Sequence, residues 1–164
     1  MELLEVFDDN GNSIGKTVDR SARLELDVGE HIALAVIFIE NNLGEFLMQK
    51  TSKEKGGLYS STGGHVDHGE TPLETIKREV KEEVGVNIDD DEIKEFGFIS
   101  YDMPLRYLFY LKKNININDA KVQKEEVEFM KYISVDDIYS MIENKEILES
   151  HGILFMELMS KLHN

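Results

Sequence analysis

The strongest constraint on the fold is a helix signal near the middle of the chain. Thr71, Pro72 and Glu74 form a capping box with proline at the first helical position. Gly85 suits a left-handed C-terminal cap, so the spacing predicts a helix over about 72–84. The apolar residues of this helix share one side and are expected to face the core. They are Leu73, Ile76, Val80 and Val84.

The patterns on either side of this helix predict mainly strands. Asn10 and Gly11 lie between two apolar runs and predict a hairpin turn. The predicted strands cover residues 3–7, 14–18, 31–39, 45–49, 93–101, 106–112 and 127–133. Residues 20–30 suggest a polar connection with weak strand character, and helical patterns cover 134–144 and 153–162. Strands around a central helix, with further helices after them, predict a mixed α/β sandwich.

Length and composition narrow the class of protein. The chain has 164 residues, of which 41% are hydrophobic and 31% charged, and these values predict one globular domain over 1–164. Residues 1–28 would form its N-terminal hairpin and connection. The longest apolar run, 32–39, is too short to span a bilayer, and the acidic N-terminus does not resemble a signal peptide. We therefore expect a cytoplasmic protein with no membrane partner.

The net charge of −15 disfavours binding to a nucleic acid duplex or an anionic membrane. The same charge repels a phosphorylated substrate, so such a substrate would need bound cations to offset the repulsion. The chain has no cysteine, which excludes a disulfide, a thiolate metal site and a thiol nucleophile.

Three carboxylates are the candidate reactive groups. Glu79, Glu82 and Glu83 stand at i, i+3 and i+4 and share a helix face that can border a cleft. Such a cluster suits a hard divalent cation such as Mg²⁺. The alternative is a solvated acidic face balanced by the neighbouring cations, Lys77, Arg78 and Lys81.

The segment before the helix adds to this site. We expect Gly63, Gly64 and Gly69 to let the loop turn sharply and to bring backbone close to a ligand. Arg78 lies beside the glutamates and can hold a carboxylate through a bidentate pair. Taken singly, each feature is also compatible with an ordinary turn or a surface ion pair.

The full spacing over 64–86 is G-x5-E-x7-R-E-U-x-E-E-x-G-U, where U is a bulky aliphatic residue, and every position is matched. It resembles the signature box of the Nudix hydrolases, which cleave diphosphates in nucleoside diphosphates linked to another moiety. Outside this box the similarity is looser, although it covers most of the chain. The resemblance implies a Nudix α/β/α sandwich with a central mixed sheet.

The resemblance also implies roles for individual residues. The catalytic set would be Glu79, Glu82 and Glu83 together with Arg78. The three glutamates and the carbonyl of Gly64 would hold Mg²⁺ or Mn²⁺, and Glu70 and Arg78 would brace the junction between loop and helix. Water would attack a phosphorus of the diphosphate, activated by the metal ions.

The general base varies in this family. We favour Glu79 as the base. Glu126, or its neighbour Glu125, is a candidate distal metal ligand or rival base, and both are equally compatible with solvated loop positions.

Residues 4–90 most resemble the branch of the superfamily near isopentenyl-diphosphate isomerase. That enzyme has a catalytic cysteine where this chain has Gly63, so isomerase chemistry is an alternative that the sequence disfavours. His31 and His65 align with metal-binding histidines of the isomerases, but hydrogen-bonding roles are favoured for both. A second alternative is a non-catalytic module that senses a nucleotide sugar.

Four cations are candidates for contacting the substrate phosphates: Lys50, Lys53, Lys55 and Arg106. Each is also compatible with a solvated surface charge. The expected partner is a small-molecule diphosphate, and its other moiety stays open at this level. A homodimer, common among relatives, stays open as well.

Overall fold

The computed structural model describes residues 2–120 and 127–163. They form nine strands and three α-helices. The strands are β1 (Leu3–Phe7), β2 (Ser13–Asp19), β3 (Ala33–Glu40), β4 (Glu45–Thr51), β5 (Tyr59–Ser60), β6 (Thr62–His65), β7 (Ile93–Ser100), β8 (Leu105–Lys112) and β9 (Val127–Ser134). The helices are α1 (Pro72–Glu83), α2 (Val135–Glu143) and α3 (Glu149–Leu162).

The central sheet is mixed. Its strand order is β5-β4-β3-β8-β7, with β6 paired to β3 and β9 paired to β4. Strands β3 and β8 run parallel over their whole length, and the other pairs are antiparallel. On its other edge, β3 pairs with β6 from Leu34 to Ile37 and reaches β4 at Glu40. This arrangement brings β6 beside the middle of the sheet.

Alternation along β3 places a helical layer on each face of the sheet. Val36 and Phe38 pack with Phe155 of α3 in one core cluster. Ile37 packs with Val80 of α1 in the other cluster, because successive strand residues point to opposite faces. The sheet therefore lies between α1 and the pair α2 and α3, which confirms the predicted α/β/α sandwich.

Strands β1 and β2 form a separate hairpin that lies against the end of β3 and the segment after β6. The backbone N–H of Phe7 donates to the carbonyl of His31 at 2.7 Å. The carboxylate of Glu5 accepts from the N–H of Gly69 at 3.1 Å. The hairpin predicted from Asn10 and Gly11 is confirmed, and it also packs against the segment that leads into α1.

Two local predictions were wrong. Residues 20–25 form a 3₁₀ helix, with Asp19 capping Ser21, where weak strand character was expected. Helix α3 begins at Glu149, four residues before the predicted start at 153, because the buried residues Ser150 and His151 extend its packed face in spite of their polarity. In the described part of the chain, no helix has the length and apolar character needed to cross a membrane.

Candidate active site

The site begins where β6 meets α1. A Cβ added to Gly64 would lie 2.3 Å from Oε1 of Glu79, and one added to Gly63 would lie 2.5 Å from the carbonyl oxygen of Ala35. These two glycines belong to strand β6 and do not form the sharp loop that was predicted for them. They are needed because helix and sheet backbone approach so closely. The turn itself falls at Gly69, where φ is +84°.

Helix α1 has the ends that its sequence predicted. The hydroxyl of Thr71 accepts from the N–H of Glu74 at 3.2 Å, and the carboxylate of Glu74 accepts from the N–H of Thr71 at 3.1 Å. Gly85 follows the last turn with φ of +83°. Three of the four predicted core residues, Ile76, Val80 and Val84, are fully buried, and Leu73 is partly buried against them. The buried stripe fixes the rotation of the helix and therefore the direction in which its glutamates point.

Arg78 is the centre of an ion-pair network. Its Nε donates to Glu70 Oε2 at 2.7 Å and its Nη2 to Glu70 Oε1 at 3.0 Å, which is a bidentate pair. It also donates to Glu79 at 2.9 Å, Asp67 at 3.2 Å and Glu82 at 3.4 Å. These bonds raise the pKa of Arg78, with the Glu70 hydrogen bond as the main cause. Arg78 therefore links the segment before α1 to two of the three glutamates.

Glu79 and Glu83 are more buried than a solvent-facing helix side would make them. The Glu79 side chain is 15% exposed, and burial raises its pKa to about 7, against the opposing charge of Arg78. Burial raises the pKa of Glu83 to about 8, and the nearby charge of Glu79 adds to the rise. Hydrogen bonds from the Gly63 backbone and the Gln49 side chain oppose this shift. In the metal-free protein, both carboxylates therefore have raised pKa values.

The donor groups at this site fit a hard divalent cation. Oε2 of Glu83 is buried and has no hydrogen-bond partner among the described residues. A buried carboxylate oxygen left in this way favours a cation. The neighbouring side chains of Glu79 and Asp67 supply carboxylate oxygens, which Mg²⁺ prefers. Within residues 2–120 and 127–163, no three acidic or histidine side chains converge as a metal cluster, and Arg78 pairs with Glu79 and Glu82.

A cavity of about 720 Å³ opens beside these groups. It is lined by elements from across the sheet as well as by α1. Its polar lining residues include Glu2, Arg20, Gln49, Ser60, Ser61, His65, Asp67, His68, Arg78, Glu79, Glu83 and His151. Glu82 does not line it, and its side chain is 56% exposed. The structure thus brings Glu79 and Glu83 to the cavity and leaves Glu82 at its outer margin.

Several residues at this cavity carry no sequence signal of function. Asp67 contacts Arg78, and burial raises the pKa of the Asp67 carboxyl. His151 is buried on α3, and its Nδ1 accepts the N–H of Ser61 at 2.9 Å. Burial lowers the pKa of His151 to about 4, so the ring is neutral and carries its proton on Nε2. The two partners are 90 residues apart, a distance over which a single sequence gives no pairing signal.

The four candidate substrate-binding cations do not converge. Lys50 lies over the rings of Tyr59 and Phe129, at 5.5 and 6.0 Å from their centroids. Lys53 and Lys55 are exposed on a short 3₁₀ turn. Arg106 lines a second cavity, next to the first. The phosphate-binding roles of all four stay predictions. Glu125 and Glu126 lie outside the described residues.

His31 and His65, the two histidines that align with metal-binding residues of the isomerases, lie in different surroundings. His31 bonds the Asp9 carboxylate through Nε2 at 2.6 Å and the Met103 carbonyl through Nδ1 at 3.0 Å, the hydrogen-bonding role favoured from the sequence. The hydrogen bond to Asp9 is the main reason that the pKa of His31 is raised. His65 lies in β6 and lines the cavity, where burial lowers its pKa to about 4.

Comparisons with family models, with protein sequences and with solved structures all indicate the same family. A family model described as NUDIX domain matches residues 29–153. An uncharacterized Nudix hydrolase of Listeria monocytogenes is 26% identical over 152 residues, covering 90% of this chain and 89% of that protein. An 8-oxo-dGTP diphosphatase of Proteus vulgaris is 30% identical over 79 residues, covering 48% of this chain and 68% of that protein. The crystal structure of DR0079 from Deinococcus radiodurans shares the fold, with a TM-score of 0.73 at 15% identity over 94% of this chain and 98% of that one.

Proposed function

This chain belongs to the NUDIX domain family, and on that premise we propose that it is a Mg²⁺-dependent hydrolase of a diphosphate linkage in a nucleoside diphosphate derivative. The observation that carries the proposal is the pair Glu79 and Glu83, half-buried beside Gly64 at the edge of a cavity large enough for a nucleotide. The net charge of −15 would otherwise repel such a ligand. A cation held at this pair offsets the repulsion where the diphosphate binds.

Nudix hydrolases generally use divalent metal ions, and Mg²⁺ or Mn²⁺ held by Glu79, Glu82, Glu83 and the Gly64 carbonyl would neutralise phosphate charge and lower the pKa of bound water. Glu79 and Glu83 would be the inner ligands, because they line the cavity. Glu82 would contribute from the exposed margin. Glu126 stays a candidate distal ligand, outside the described residues.

We assign Glu79 as the general base. Its carboxylate lines the cavity, where it can accept a proton from the attacking water. As the water oxygen bonds to phosphorus, the bridging P–O bond breaks and the leaving phosphate carries away its electron pair. Arg78 holds Glu79 in place and is itself held by the bidentate pair with Glu70, so Glu70 is a positioning residue.

Release of phosphate or nucleotide from a panel of nucleoside diphosphate derivatives tests the proposal. Hydrolysis that requires Mg²⁺ and stops in EDTA is the expected result. No turnover of any panel member, or equal turnover in EDTA, would refute it. The same panel separates hydrolysis from the sensing module, and isopentenyl diphosphate tests the isomerase alternative.

Variants of the glutamates test the residue assignments. We expect Glu79→Gln and Glu82→Gln to lose most activity and to keep the native circular dichroism spectrum, because each replacement is nearly isosteric. Glu95→Gln is the matched control, since Glu95 is an exposed carboxylate on β7, away from the cavity. Turnover of Glu82→Gln equal to that of the control would remove Glu82 from the ligand set.

A further inference from the structure

A second cavity, of about 490 Å³, lies next to the first. Leu34 and His65 line both cavities, so one elongated ligand can occupy the two together. The first cavity holds the acidic groups of α1. The second is bordered by the 3₁₀ turn after β2 and by the start of β8, and its chemistry is different.

Arg23 and Arg106 both line the second cavity. Arg106 is half-buried, and its Nε is inaccessible to solvent and has no hydrogen-bond partner in the described part of the chain. Its guanidinium lies over the ring of Tyr101, 5.4 Å from the centroid. Among residues 2–120 and 127–163, neither arginine forms a salt bridge, whereas the neighbouring Arg20 pairs with Glu2 at 3.0 Å.

A half-buried guanidinium without a salt bridge, such as that of Arg106 in the described chain, is unexpected where 33 residues are acidic and 18 basic. Arg23 differs, because it is exposed and donates to the carbonyl of Arg20 at 3.1 Å. Buried charges in proteins are paired or fully hydrogen-bonded, because removing a charge from water is costly. The carboxylate of Asp102 also lines the cavity and favours the charged form of Arg106 from a distance. This compensation is partial, because no carboxylate of the described residues forms a salt bridge with Arg106.

We propose that the second cavity binds an oxyanion, a phosphate monoester or a carboxylate, that the substrate carries outside the diphosphate that is cleaved. The inference rests on the proposed function, because it assumes that the diphosphate occupies the first cavity. The planar fork of a guanidinium binds two oxygens of such a group, and Arg23 adds a second positive charge. The apolar wall, which includes Leu26 and Met103, would contact the carbon skeleton that carries the anion.

The residues that line the second cavity argue against an uncharged nucleobase as the main group that this cavity recognises. None of the residues that line this cavity in the described chain is phenylalanine, tyrosine or tryptophan, so a base would have no such ring to stack on. Tyr101 is close by, but Arg106 already covers its ring. Recognition by charge is therefore the property that this cavity offers.

Matched substrate pairs test the inference. NADPH and NADH share one diphosphate and differ by one phosphate monoester. UDP-glucuronate and UDP-glucose differ by a carboxylate in place of an alcohol. We expect wild type to prefer the anionic member of at least one pair by about tenfold or more in kcat/KM, the gain typical of one hydrogen-bonded charge pair. The pair that responds identifies the oxyanion as phosphate or carboxylate.

The variants are Arg106→Gln and Arg23→Gln, with Lys112→Gln as the control. Lys112 is an exposed cation at the opposite end of the same strand as Arg106. We expect the preference to collapse towards one in Arg106→Gln, to fall in Arg23→Gln and to persist in the control. Because Arg23 is exposed, its variant keeps the test decisive if Arg106→Gln folds poorly. Equal turnover within both pairs, or a preference that survives both arginine variants, would overturn the inference.

If neither pair is hydrolysed, either the substrate lies outside these pairs or, where the wider panel of nucleoside diphosphate derivatives is inert as well, the proposed function has failed. In either case calorimetry in EDTA decides the inference, with adenosine 2′,5′-bisphosphate and adenosine 5′-monophosphate as probes. Tighter binding of the bisphosphate by wild type, lost in Arg106→Gln, would support an oxyanion site that is independent of catalysis. Equal affinity for the two probes would overturn it.

Discussion

Glu83→Gln is expected to stabilise the metal-free protein, although it removes a residue that we assign to the site. Burial raises the pKa of Glu83 from 4.5 to about 8, so between these values the folded protein binds a proton that the unfolded chain releases. For a raised carboxyl pKa, the free energy of unfolding falls as pH rises through this window. Glutamine occupies nearly the same volume but carries no charge. The Glu83→Gln protein should therefore not lose stability as the pH rises through this window.

The magnitude follows from the size of the shift. Each pKa unit is worth about 1.4 kcal/mol, so the move from 4.5 to about 8 makes the gain on the order of 3 kcal/mol at pH 7. The gain should be small well below pH 4.5, where both states bind the proton, and should grow until about pH 8. Part of it is offset, because an amide accepts the hydrogen bond from the Gly63 backbone less strongly than a carboxylate.

Urea unfolding in EDTA, at pH values spaced across this window, measures the difference between variant and wild type. Glu82→Gln is the matched control, because the Glu82 side chain is 56% exposed and stays hydrated when charged. Saturating Mg²⁺ should reverse the order, since a ligand that binds only the folded state stabilises it and wild type retains the complete site. A metal-free Glu83→Gln protein no more stable than wild type at pH 8 would refute the reasoning.

Three further predictions concern other parts of the molecule. Gly64→Ala would place a Cβ 2.3 Å from the Glu79 carboxylate, so Mg²⁺-dependent turnover should fall by about 100-fold with the fold intact; unchanged kinetics would contradict the packing described for β6 and α1. Val80→Ala should lower the free energy of unfolding by about 1–4 kcal/mol in urea titrations, because Val80 is fully buried, and an unchanged midpoint would mean that this face is not core. His31→Gln should destabilise the protein below pH 6.5, and the difference from wild type should shrink as pH rises through the raised pKa of His31, which depends on Asp9; a difference independent of pH would exclude a charged His31–Asp9 pair.

Local patterns in the sequence were enough to place helix α1 and seven of the nine described strands, whereas β5 and β6 were not predicted as strands. The capping box at Thr71 and Glu74 and the glycine at 85 act within one or two turns of helix, so their effect does not depend on the rest of the fold. The unbroken apolar run over residues 32–39 predicted a buried strand for the same reason. Residues 20–25 were predicted less well, because a short 3₁₀ turn capped by Asp19 has no periodicity to detect.

The position of the reactive groups in three dimensions depended on the tertiary structure. Spacing placed Glu79, Glu82 and Glu83 on one helix face, but only the packing of α1 on β6 decided that Glu79 and Glu83 line the cavity and that Glu82 stays exposed. Burial then raised the pKa of Glu79 and Glu83, a change that no local pattern predicts, because desolvation depends on every element that covers the group.

The amino-acid sequence by itself predicted the family, the α/β/α class and the chemical type of the candidate site, since these depend on residue identity and short-range spacing. Tertiary structure alone decided that His151 meets Ser61 and that Arg23 and Arg106 border one cavity beside the glutamates. These residues come from separate elements. For Arg106 the sheet provides the link, because Leu34 of β3 pairs with Arg106 of β8 on one side and with His65 of β6 on the other. Contacts between distant segments form only when the elements pack together in the folded protein. A single sequence carries no periodic signal for such contacts.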